Sequence, residues 1–120
     1  MLEPGDAILL RAYLGDDDTY YDADGGKPLS EAIVREARRR GLAGATALHG
    51  LLGYGSSSII HSRGRLFSED LPVVIEIVDS QDKIAGFLPV LEHMMQGGLI
   101  TTQAVNVVLS LQKTARPERA

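Results

Sequence analysis

The 120-residue chain has no cysteine, no tryptophan and only two phenylalanines. Without cysteine there can be neither a disulfide nor a thiolate metal site, and the redox compartment stays open. The shortage of aromatics argues against a single-stranded nucleic-acid platform, which needs stacking rings. Positive charge is also short. Twelve Lys and Arg face 16 Asp and Glu, a net charge of -4, so no global field draws nucleic acid. No apolar run approaches the roughly 20 residues of a bilayer span. The opening MLEPGDAILL lacks the basic-then-apolar plan of a signal peptide. The expectation is a soluble cytoplasmic protein with one domain, residues 1–112, and a frayed tail over 113–120.

What is present alternates between extended and helical patterns. Residues 7–14 read as a strand with Ile8, Leu10, Ala12 and Leu14 on one face and Leu9, Arg11 and Tyr13 on the other. The Asp- and Gly-rich stretch that follows, GDDDTYYDADGGKP, reads as a solvated acidic loop. Its Asp16, Asp17, Asp18, Asp22 and Asp24 lack the ordered spacing and closing Glu of an EF-hand. Pro28 suits the first turn of a helix whose stripe is Leu29, Ala32, Ile33 and Ala37, and Gly41 ends it. Arg38, Arg39 and Arg40 complement the negative end of that helix, or alternatively form a basic patch.

Residues 45–52 and 71–78 read as the second and third strands. Asp79 or Ser80 can cap a second helix with the stripe Ile84, Phe87, Leu88, Leu91, Met94 and Met95. Pro89 predicts a bend there or a late helix start, and Gly97-Gly98 ends the helix. Residues 104–111 read as a fourth strand. The order βαββαβ is the ferredoxin-like α+β plan, an antiparallel sheet with both helices on one face. Right-handed crossovers place the first and third strands side by side in the centre, where we expect them to run parallel. The sheet face away from the helices would then carry Leu9, Tyr13, Val74 and Val78 with Arg11 and Glu76 paired among them. So much apolar surface predicts a cover, and another copy of the chain is the simplest one.

No catalytic constellation emerges. Ser56, Ser57, Ser58 and Ser62 lie near His61 but form no G-x-S-x-G elbow, and the chain is expected not to be an enzyme. His49, His61 and His93 show no ligand spacing, and no cofactor is required. Binding is better supported. Gly53-Tyr54-Gly55-Ser56-Ser57 offers close backbone approach, hydroxyl donors and a ring for stacking. Arg63 and Arg65 could fork onto a phosphate, and Gly97-Gly98 is a second flexible backbone segment.

The texts GLAGATALHGLLGYGSSSIIHS, FSEDLPVVIEIVDSQDKIAGFLPVL and GGLITTQAV resemble the uncharacterised PII-like family known as domain of unknown function 190. The resemblance runs from the first strand through Val108. It implies kinship with PII signalling proteins, a homotrimer with sheets facing the threefold axis, and nucleotide clefts between subunits. Gly53-Tyr54-Gly55 matches one wall of such a cleft and Gly97-Gly98 the other. The chain departs from PII where Ser56-Ser57 replaces Arg-Gln, where Val73 replaces a phosphate-binding lysine, and where Leu99-Ile100 replaces a basic residue. Less positive charge implies AMP or ADP, or another small anion, rather than a triphosphate, with signalling through the 56–68 loop. Family context implies a membrane transporter or channel as protein partner. The alternatives are a CutA-like metal-responsive trimer using His49, His61 or His93, and a purely structural interaction module. An RNA-binding module ranks below these.

Overall fold

A computed structural model of the chain describes residues 2–55 and 71–112. β1 (Gly5–Gly15) leads into a hairpin of β2 (Thr19–Asp22) and β3 (Gly25–Pro28). Then come α1 (Leu29–Arg39), β4 (Thr46–His49), β5 (Pro72–Asp79), α2 (Gln81–Met94) and β6 (Leu99–Val107). The main sheet has the order β4-β5-β1-β6. Setting the hairpin aside, this is the expected βαββαβ plan.

The two central strands are adjacent as expected but antiparallel, with Leu10 opposite Ile77 and Ala12 opposite Ile75. That corrects the parallel expectation. A right-handed crossover through α1 makes β1 and β4 run the same way two places apart. β5 returns from β4 and fills the slot between them, so it must run against both.

The hairpin also corrects the sequence reading, which took residues 15–28 as a loop. Thr19, Tyr20 and Tyr21 are good strand formers, masked by the Asp and Gly around them. Gly25 takes φ +110° just after the turn. At Gly26 a Cβ would stand 2.8 Å from the Tyr21 ring, which would have to shift to admit it. Four-residue strands are marginal alone, and Tyr20 packs this pair onto the main core.

Other boundaries move for identifiable reasons. β4 stops at His49, because Pro72 opposite has no N–H and Gly50 donates the last bond to its carbonyl, at 2.7 Å. β6 begins five residues before the expected start and ends at Val107. Its Thr-Thr-Gln run suits an exposed edge, where polarity is no bar to a strand. α2 starts at Gln81, so no late start occurs; Pro89 lies inside it on an exposed position. The Ser80 hydroxyl caps it by accepting the Lys83 N–H at 3.3 Å. Pro28 sits one residue before α1, as its cap position.

The core lies between the sheet and the helices. Leu10, Ala12, Leu14, Val73, Ile75 and Ile77 meet Leu29, Ile33, Ala37, Ile84, Phe87 and Leu91, all buried. Each large side chain contributes about 1.5–3 kcal/mol on burial. Both predicted helix stripes therefore hold, with Leu88 and Met95 partly buried at the margin. Asp79 is the one buried charged residue among those described. Its carboxylate accepts the Ala43 N–H at 2.8 Å and the Ser80 N–H at 2.7 Å, tying the α1–β4 connection to the end of β5.

Candidate functional site

Register decides where the two glycine segments lie. The 50–55 segment leaves β4 beside Pro72, which is opposite Gly15. Gly97-Gly98 immediately precedes Leu99, which is opposite Tyr13. Both segments are thus at one end of the sheet, the end where β1 finishes. They stand on opposite edges, however, three strand spacings or about 14 Å apart. A single chain does not bring them together.

At the first edge, Gly53 runs close to Pro72, where a Cβ would stand 3.4 Å from its Cγ. Gly50 is tighter still, at 2.8 Å from the same atom. Tyr54 is 75% exposed, so its ring is available to a ligand, and Gly55 is exposed beside it. At the second edge Gly97 and Gly98 are exposed, and Gly98 holds φ +107°, a conformation that favours glycine. Ser56, Ser57, Arg63 and Arg65 lie outside the described residues, as do His61, the 56–68 loop and the 113–120 tail.

Asp16, which the sequence reading placed in a solvated acidic loop, has specific partners instead. Its carboxylate lies 2.9 Å from His49 Nε2, and its backbone N–H donates to Leu71 O at 2.8 Å. It therefore clasps both legs of the excursion that begins at Gly50 and returns at Leu71. Nothing in the local sequence signals this, because the three residues meet only through sheet order. His49 and Asp16 thereby take a structural partnership. Among the described residues no group of three His, Cys, Asp or Glu side chains could hold a metal ion.

Val73, which the resemblance to PII sets opposite a phosphate-binding lysine, is 3% exposed and part of the core. Leu99 is exposed and Ile100 packs against the core. The cations missing from the sequence pattern are not restored at those positions by the fold.

The open face of the sheet is layered in rows. Leu48, Val74, Tyr13 and Leu99 form one continuous apolar row across all four strands. Thr46, Glu76, Arg11 and Thr101 form the next, and Val78, Leu9 and Gln103 follow beyond it. The expected pair is present, with Arg11 Nε 2.9 Å from Glu76 Oε2. That hydrogen bond raises the Arg11 guanidinium above its ordinary pKa. Tyr13 is the one aromatic among the described residues of this face, and its cation is engaged, which does not make an RNA platform.

Comparison with known proteins agrees with this architecture. The sequence model of the family DUF190, described as "Uncharacterized ACR", matches residues 7–107. A UPF0166 protein of Aquifex aeolicus (strain VF5) is 36% identical over 102 residues, covering 83% of this chain and 91% of the relative. A UPF0166 protein of Methanocaldococcus jannaschii is 34% identical over 95 residues, covering 78% and 84%. Among solved structures, CPII from Thiomonas intermedia K12, bound to ADP and bicarbonate, superposes with a TM-score of 0.56. That match has 18% identity and covers 89% of this chain and 93% of CPII. No helix among the described residues is long and apolar enough to cross a membrane.

Proposed function

The chain belongs to the DUF190/UPF0166 family of PII-like proteins, and from that premise we propose that it is a ligand-sensing regulator working as a homotrimer. The effector is an adenine nucleotide, AMP or ADP, or a comparable small anion, held in a cleft between two copies. Gly53, Tyr54 and Gly55 of one copy form one wall, and Gly97 and Gly98 of the next form the other. One observation carries this reading. The two glycine segments share an end of the sheet but occupy opposite edges. Only another copy, set edge to edge, can bring one against the other. β4 and β6 run in opposite directions, so such a contact is antiparallel and keeps the two segments at the same end.

The apolar row on the open face supports the same assembly, because a second copy removes it from water. The ligands in the CPII structure, ADP and bicarbonate, are of the two classes proposed here. Ser56, Ser57, Arg63 and Arg65 complete the phosphate contacts, and the 56–68 loop carries the signal to a membrane transporter or channel. The role is regulatory, without a catalytic step.

Isothermal titration with AMP, ADP, ATP and bicarbonate tests it, alongside sedimentation to give the mass. AMP or ADP should bind a trimer with micromolar affinity, and Tyr54→Ala should weaken binding at least tenfold. No heat with any of the four ligands defeats the nucleotide reading, and a monomer at every concentration defeats the cleft itself.

A further inference from the structure

The hairpin β2–β3 lies outside the six-element plan, and the cleft reading gives it no role. It forms one wall of a groove of about 380 Å³, with α1 and α2 as the others. That volume falls in the range of small-molecule sites, about 300–1,000 Å³. Ala32, Val90 and Met94 contribute apolar surface, and Tyr20 stands at the hairpin side. Neither glycine segment contributes to it.

Its charge is unlike that of the rest of the chain. Lys27, Arg35, Arg39 and Arg40 line it, four of the protein's 12 Lys and Arg, in a molecule of net charge -4. Three carboxylates answer them. Lys27 Nζ is 3.0 Å from Asp22, Arg35 Nε is 2.9 Å from Glu31, and Glu36 alone takes both Arg39 and Arg40. One positive charge is left over, and the His93 imidazole stands on the α2 wall.

A helix-end explanation accounts for Arg39 and Arg40 but not for the other two. Arg35 is mid-helix and Lys27 is on the hairpin, yet both converge on the same groove. Among the described residues, Arg35 and Arg40 bond through Nε alone, which leaves their terminal nitrogens to donate. Hydrogen bonds from Arg39 and then Arg40 hold the Glu36 carboxyl down at about 2. Glu36 is therefore ionised at any physiological pH, and it keeps the two guanidiniums in place before a ligand arrives. Asp22 and Glu36 line the groove beside the four cations, so the lining carries both signs with the positive in excess.

We propose that this groove is a second ligand site, taking a small molecule that carries two or more neighbouring oxyanions. The forked donors of Arg35 and Arg40 and the Lys27 ammonium hold the oxyanions, while the apolar surface takes the carbon frame. This site does not depend on the intersubunit cleft. Phosphates and carboxylates share the required chemistry, so the test uses the simplest probe of each. Titration calorimetry of the full chain with pyrophosphate and with citrate, at low ionic strength, should give saturable heat with at least one. Arg35→Ala combined with Arg40→Ala removes two exposed side chains, leaves the core intact, and should weaken that binding at least tenfold. Tyr54→Ala should leave it unchanged. Absence of heat from both probes overturns the proposal. So does equal affinity in the double variant, or a comparable loss in Tyr54→Ala, which would place the anion at the glycine segment instead.

Discussion

Neighbouring residues of β1 have different fates. Leu10, Ala12 and Leu14 lie beneath the helices, while Leu9, Arg11 and Tyr13 look out from the opposite face. The covered face is apolar without exception along the middle of β1 and β5, ending in the satisfied carboxylate of Asp79. On the open face a polar row crosses the sheet, with apolar side chains on both sides of it. A uniformly apolar surface associates without choosing a register. In the assembly proposed above, the Arg11–Glu76 pair would supply the mark by which a second copy aligns, a use of ion pairs that is better attested than net stabilisation.

The contrast can be broken by mutation. The largest effect is expected on the covered face, where Ile75→Ala should cost about 2–5 kcal/mol in denaturant unfolding. A loss below about 1 kcal/mol would show that the core repacks and that the two faces are less distinct than their burial suggests. Val74→Asp, one residue away, should leave the fold intact by circular dichroism but convert the sedimenting species to monomer. A full-size assembly in this variant would remove the open face from the proposed interface. The smallest effect is expected for Arg11→Ala and Glu76→Ala in a double-mutant cycle. Each side chain is about one-third exposed, so their coupling in an isolated chain should be weak and should fall further as salt is added. A markedly larger coupling in the associated form would mean that assembly desolvates the pair.

The Arg11–Glu76 pair also shows how a partly wrong topology can yield a right contact. Both residues are near the middle of their strands, so reversing one strand exchanges its ends but hardly moves its centre. Side-chain period is local, and it was enough to assign the inner faces of β1 and β5 and both helix stripes. Strand direction is not local. It followed from where β5 could fit once α1 had carried the chain across. The hairpin stayed hidden because its two strands are four residues each and owe their order to packing through Tyr20. The groove stayed hidden for a related reason. Arg38, Arg39 and Arg40 stood out as a run, but Lys27 and His93 joined Arg39 and Arg40 only when three elements met.

Residue chemistry and spacing were enough to show which residues can be buried, which stripe each helix turns inward, and that two glycine segments flank the second and fourth strands of the plan. These depend on side-chain chemistry and spacing within a few residues, which the chain carries in linear form. Tertiary structure alone decided that the two glycine segments stand at one end but on opposite edges, that Asp16 clasps His49 and Leu71, and that four cations share a groove. Those relations are made by hydrogen-bond ladders and helix packing between residues far apart in the chain, and no local pattern encodes them.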